Sequence, residues 1–157
     1  MTAVTILQAS SPPQIAQARV LFLEYAKSLG FSLCFQNFDA ELAALPGDYA
    51  PPAGRLLLME YEVQLAGCGA LHELHPEICE MKRLYVRPQF RGKGLGRAMA
   101  DRLIAEARSI GYKRMRLDTV EPVMKDAVAM YRRLGFQEIA PYCENPISGA
   151  LYMELVL

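Results

Sequence analysis

The chain has 157 residues, 52% of them hydrophobic and 22% charged, which is enough to bury one ordinary core, so residues 1–157 read as a single domain. Seventeen Lys plus Arg balance seventeen Asp plus Glu, which excludes a global field that would draw the chain onto nucleic acid or an anionic membrane. The longest apolar stretches, such as Leu56-Leu57-Leu58-Met59, fall far short of the roughly 20 residues that cross a bilayer. Residues 1–12 hold no basic segment followed by an apolar run, so a cytoplasmic location is expected.

Along residues 13–29, Ile15, Ala18, Leu21, Phe22, Tyr25 and Leu29 recur near a 3.6-residue period with Gly30 as a stop, which predicts a helix. A short helix is expected over 39–44, with Asn37 or Asp39 to cap it. The Pro- and Gly-dense stretch 46–54 reads as a long internal loop. From Arg55 the pattern changes to three short apolar runs, 56–61, 63–71 and 78–86, which predict an antiparallel meander. His72 and His75 flank a turn at Leu74-His75-Pro76 and read as solvated loop residues. Next, Leu95, Met99, Leu103, Ala107 and Ile110 mark one face of a helix that ends at Gly111, and 114–119 reads as a strand. A further helical stripe, Val123, Ala127, Met130, Tyr131 and Leu134, closes at Gly135, and 136–139 with 150–157 complete the sheet. The span 80–119 has the length of a parallel crossover unit. The four cysteines, Cys34, Cys68, Cys79 and Cys143, show neither a C-x-x-C pair nor a zinc-ligand spacing, so reduced, mostly buried thiols and no metal are expected.

The informative feature is a glycine-rich turn between a strand and a helix, Arg91-Gly92-Lys93-Gly94-Leu95-Gly96-Arg97. Main-chain N–H groups converge at such a place, and the helix N-terminus adds partial positive charge, so it suits a phosphate. Lys82, Arg83, Arg87, Arg91, Lys93 and Arg97 concentrate cationic charge within 82–97. The dinucleotide fingerprint G-x-G-x-x-G fails, because Arg97 or Met99 stands where the third Gly belongs, and G-x-x-x-x-G-K-[ST] does not occur.

Three segments together resemble the GCN5-related N-acetyltransferase family: residues 80–88 (EMKRLYVRP), residues 91–96 (RGKGLG) and residues 127–136 (AVAMYRRLGF). Arg91, Gly94 and Gly96 meet its R/Q-x-x-G-x-G/A motif, and Tyr131 with Leu134-Gly135-Phe136 meets the tyrosine and helix stop of its later helix. The resemblance covers most of the chain from Arg55 onward; residues 1–54 fit it in outline. It implies an α/β fold with a mixed, mostly antiparallel sheet of about six to seven strands flanked by about four helices, and splayed parallel strands at a site for acetyl-CoA. On this reading the pyrophosphate rests on Arg91, Gly92, Lys93, Gly94, Leu95, Gly96 and Arg97, while the pantetheine arm lies along Leu84 and Val86 like an added strand. An amine loses a proton and attacks the thioester, and a main-chain N–H near Leu84 stabilises the oxyanion. The resemblance makes Tyr131 the general acid toward the thiolate and Glu80 the general base, often acting through water. Against these stand a half-buried core role for Tyr131 and an ion pair of Glu80 with Lys82 or Arg83. Met124 stands where many members carry Asn, a departure that bears on side-chain contact to the pantetheine.

The segment after the first helix is rich in aromatic residues, Phe31, Phe35, Phe38 and Tyr49, and in the family it folds over the acceptor side, as does the loop Tyr142-Cys143-Glu144-Asn145-Pro146. Phe35, Arg83, Asp118, Tyr142 and Asn145 are the expected acceptor-site residues. Arg83, placed by alternation on one face with Met81 and Tyr85, is expected either to clamp a carboxylate or to pair with Glu80 or Asp118. With no acidic run to hold a basic tail, the favoured acceptor is a small, amino-acid-like amine rather than a protein tail. A non-catalytic acyl-CoA sensor and an acetyltransferase of protein amines are the alternatives, a nucleic-acid module is weaker, and a homodimer is left open.

Overall fold

The computed structural model describes residues 3–33 and 36–157. Seven strands, β1 (Val4–Gln8), β2 (Arg55–Tyr61), β3 (Gln64–His75), β4 (Ile78–Val86), β5 (Arg114–Val120), β6 (Gln137–Glu138) and β7 (Ala150–Val156), form one sheet in the order β1-β2-β3-β4-β5-β7-β6. Every neighbouring pair is antiparallel except β4 with β5. The helices are α1 (Pro12–Ser28), α2 (Phe38–Ala44), α3 (Leu95–Ile110) and α4 (Lys125–Leu134). The α/β class, the meander and the parallel crossover expected from the sequence are therefore present. Among the described residues no helix is long and apolar enough to cross a membrane.

Both faces of the sheet are covered. On one, Leu57, Met59, Leu71, Met81, Met115 and Leu117 pack with Met99 and Leu103 of α3 and with Met130 and Tyr131 of α4. On the other, Leu56, Leu58, Cys68, Ala70 and Tyr85 pack with Ala18, Leu21 and Phe22 of α1 and with Phe38 and Leu42 of α2. Burial on both sides explains why β2 reads as the unbroken run Leu56-Leu57-Leu58-Met59 rather than as an alternation.

Several elements differ from the sequence reading. Strand β1 was not among the expected elements; it is a half-exposed edge strand on β2, with only one face to bury and hence a weak pattern. Helix α1 begins one residue earlier, because Ser11 and Gln14 form a reciprocal capping box and Pro12 suits the first turn. Helix α2 follows Asn37, which takes a left-handed conformation but makes no side-chain capping bond. Within 46–54 the chain forms a short 3-10 turn, Gly47–Tyr49, that buries Tyr49 against Phe22 at 6.0 Å and His72 at 5.7 Å between ring centroids. His72 is no loop residue: β3 continues to His75, which is exposed, and carries His72 opposite Glu80. Of the described cysteines Cys68 and Cys79 are buried and Cys143 is exposed; Cys34 lies outside the described residues.

Candidate active site

Pairing between β4 and β5 lasts from Ile78 with Arg114 to Glu80 with Arg116 and then stops. Strand β5 stays bonded to β7 along its whole length, and β4 stays bonded to β3, so the two halves of the sheet part between them. From Met81 to Val86 the β4 edge that faces β5 has no strand partner. Unmet backbone groups in such a gap call for a ligand or solvent to hydrogen-bond them.

Beyond the gap a groove of about 490 Å³ is lined by Leu84, Val86, Arg91, Gly92, Gly94, Leu95, Gly96 and Arg97, and also by Asp126, Ala127, Met130 and Arg133 of α4. Gly94 caps α3 in a left-handed conformation with φ of 76° and gives no side-chain capping bond, so among the described residues no side chain caps the first turn. A Cβ at Gly92 or Gly94 would have no protein atom within 4 Å, which leaves the amides open to an anion. Arg91 folds back to donate to the Val86 carbonyl at 3.0 Å, which braces the turn. Lys93 does not line the groove; its ammonium lies 5.3 Å from the centre of the Tyr61 ring. Arg87, expected to add charge here, is instead paired through two nitrogens with Glu24 of α1, at 3.0 and 2.8 Å. Arg133 is the groove cation that the sequence reading missed; its position two residues after Tyr131 was the available signal.

Where the strands part, a narrow cavity of about 40 Å³ is lined by Leu84 and Lys82 of β4, Asp118 and Thr119 of β5, Tyr131 of α4, Tyr25 of α1, and Phe31, Gln36 and Asn145 from loops. The Tyr131 ring packs on Phe136 with centroids 5.6 Å apart, its hydroxyl makes no hydrogen bond among the described residues, and burial pushes the phenol up from its ordinary range. It therefore keeps its proton and has it free to give.

A bulge in β4 sets the acceptor side. Between the pairs Ala70 with Lys82 and Cys68 with Tyr85, β3 contributes only Gly69 while β4 contributes Arg83 and Leu84, and Arg83 takes φ of 61°. The bulge breaks the alternation, so Arg83 shares a face with Tyr85 but not with Met81, which packs in the core on the opposite face. Nor does Arg83 pair with Glu80 or Asp118: it is 3% exposed, donates to both oxygens of Glu41 at 2.9 Å, donates to Gln36 at 2.8 Å, and stacks over Phe38. A guanidinium held in this way is not free to clamp a substrate carboxylate. Lys82, the other pairing candidate for Glu80, does make that contact, with its ammonium 3.8 Å from the Glu80 carboxylate, and it also lines the cavity.

Glu80 is buried and accepts from His72 Nε2 at 2.8 Å and from the Tyr142 hydroxyl at 2.6 Å. Burial opposes its charge, but those two hydrogen bonds and the Lys82 ammonium outweigh it and hold the carboxyl below its usual range. Asp118 accepts from Gln36 at 3.2 Å and from Asn145 at 3.0 Å. Its burial, aided by the charge on Glu80, pushes it up against the pull of Lys82. Glu80, Asp118 and Cys143 each place a side-chain atom within 4.8 Å of the others', so two carboxylates with oppositely displaced affinities for a proton meet at one spot. Phe35 lies outside the described residues.

The relatives of the chain agree with this geometry. Residues 21–136 match the profile of the acetyltransferase (GNAT) family. An uncharacterized N-acetyltransferase of Schizosaccharomyces pombe is 39% identical over 154 residues, 97% of this chain and 94% of its own. An acetyltransferase of known structure from Streptococcus agalactiae superposes with a TM-score of 0.79 at 21% identity over 98% of both chains. Another, from Salmonella typhimurium and solved with its cofactor acetyl-CoA, gives 0.70 at 22% identity over 98% of this chain and 94% of its own. With open amides at the start of α3 and an unpartnered β4 edge suited to an amide-bearing arm, the chain belongs to the GNAT family of acetyl-CoA-dependent N-acetyltransferases.

Proposed function

We propose that the chain acetylates the primary amine of a small, amino-acid-like molecule by direct attack in a ternary complex. The observation that supports the reading is the chemistry of the cavity at the fork, where Asp118 and Lys82 stand in one lining walled by Phe31, Tyr25 and Asn145. Asp118 suits the amine end and Lys82 an acid end. A second hollow, of about 400 Å³, shares Gln36 and Lys82 with the first and opens past His72 and Glu80, and it offers an entry route.

Bound acetyl-CoA supplies the activated acyl group. The groove amides from Gly92 to Gly96 hold its pyrophosphate, Arg91, Arg97 and Arg133 add charge, and the β4 edge at Leu84 and Val86 takes the arm. Glu80, kept ionised, draws the proton from the amine, with Asp118 beside it orienting the nitrogen. A main-chain donor at Leu84 meets the developing negative charge, and the Tyr131 hydroxyl donates to the departing sulfur. His72 and Tyr142 fix the Glu80 carboxylate in place.

Gly94→Val should abolish the thermal stabilisation by acetyl-CoA, because a β-branched residue disfavours the φ of 76° and blocks the approach of an anion. An undiminished shift in a folded variant would remove the turn from the binding site. For Tyr131→Phe, turnover should fall on the order of 10²-fold with acetyl-CoA affinity nearly kept, since only the proton donor is lost; near-normal turnover would return Tyr131 to the core.

Because the folded Glu80 carboxyl is held below its usual range, it stays charged as the pH falls while the acceptor amine becomes protonated. Glu80→Gln should therefore cut kcat/KM by about 10-fold or more, most on the acid limb of the pH profile. A profile of wild-type shape and height would make Glu80 structural. The acceptor is tested with a panel of free amino acids and small amines, followed by release of coenzyme A. Turnover on at least one is expected, whereas acetylation of a folded protein's N-terminus or lysine tail, with none on the panel, would overturn the choice of a small amine.

A further inference from the structure

Thr119 carries the one buried side-chain oxygen or nitrogen among the described residues that has no hydrogen-bond partner. The residue is 7% exposed, sits on β5 beyond the last pair with β4, and lines the same cavity as Tyr131 and Leu84. An orphaned hydroxyl in a protein interior costs the desolvation of the group with no return bond, so its retention in a wall of the active site points to a partner that arrives with a substrate.

The two-residue period of β5 says which substrate. Met115 and Leu117 pack on the face that carries α3 and α4, together with Tyr131, and Thr119 follows them on that face. Asp118 and Arg116 point the other way, to Gln36, Asn145 and the Tyr142 ring. Strand β5 thus splits the cavity by face: Thr119 stands on the side of Tyr131 and α4, and Asp118 on the side of Gln36 and Asn145. We infer that the Thr119 hydroxyl donates a hydrogen bond to a carbonyl oxygen on the thioester-bearing arm of acetyl-CoA, in the gap that β4 and β5 leave open, and so fixes that arm against Tyr131. The inference rests on the family's use of acetyl-CoA and adds a donor-positioning residue on β5.

The experiment is Thr119→Val, which keeps shape and β-branching and removes only the hydroxyl. Two readouts need no turnover: the melting temperature of the free protein, and affinities by calorimetry for acetyl-CoA, for coenzyme A, and for adenosine 3′,5′-bisphosphate, which lacks the arm. Relief of the orphan should raise the melting temperature by roughly 2–6 °C. Affinity for acetyl-CoA should drop roughly 3- to 10-fold, with the bisphosphate unchanged and Thr119→Ser restoring the wild-type value. Loss with acetyl-CoA alone would place the bond on the thioester carbonyl, and equal loss with coenzyme A would place it on an amide of the arm; either supports the inference. A lowered melting temperature with acetyl-CoA affinity intact would overturn it, as would equal weakening of the bisphosphate. A change confined to the KM of the amine would also overturn it, by moving Thr119 to the acceptor. Failure of the wild-type protein to bind acetyl-CoA at all would instead overturn the cofactor reading together with this inference.

Discussion

The parallel ladder between β4 and β5 holds for three residue pairs and ends at Glu80 and Arg116, and the rest of the site depends on its ending there. Each strand remains tied to its antiparallel partner on the far side, β4 to β3 and β5 to β7, so the sheet forks rather than frays. A fork inside a sheet leaves a strand edge whose backbone donors and acceptors have no strand to pair with. The groove, the start of α3 and the Tyr131 hydroxyl all open onto that edge or its continuation.

The bulge at Arg83 accompanies the fork and is held in place from outside the sheet. A non-glycine residue with φ of 61° is uncommon, and the bidentate bond to Glu41 with the further bond to Gln36 ties it to the α2 region. Bulges increase local twist and re-aim side chains. Here the re-aiming puts Lys82, Arg83 and Tyr85 on one face and leaves Leu84 and Val86 to the groove. The polar side chains are then partitioned by strand face, with the Tyr131 hydroxyl on one side and Glu80, Asp118 and Lys82 on the other. In a chain with no net charge, such local sorting is what leaves each side of the fork with a charge character of its own.

Features that depend on a few consecutive residues were legible. The apolar stripe from Leu95 to Ile110 matched α3 in extent, because helical periodicity is a property of the segment itself. Gly92 and Gly94 could be read as a phosphate turn because the need for a left-handed backbone and close approach is local. Strand β1 was missed because an edge strand with mixed burial carries little pattern, and β3 was read short because His72 was taken for the start of a turn. Alternation put Arg83 on the wrong side of β4 relative to Met81, since one inserted residue inverts every inference drawn from a period of two.

What the amino-acid sequence by itself determined was the order of elements from α1 onward, the antiparallel meander with one crossover, the glycine turn with its helix, and the residue types that suit acyl transfer. Only the tertiary structure decided which charges remain available. Arg87 is neutralised by Glu24 and Arg83 by Glu41, while Lys82 lines the cavity 3.8 Å from Glu80, which is itself gripped by His72 and Tyr142. The reason is that an ion pair or a buried hydrogen bond forms between groups about 3 Å apart in space, and here those groups are far apart in the chain, 42 residues for Arg83 with Glu41 and 82 for Gln36 with Asp118. Periodicity reports on neighbours along the backbone and says nothing of such partners until the sheet and its covering helices have brought them together.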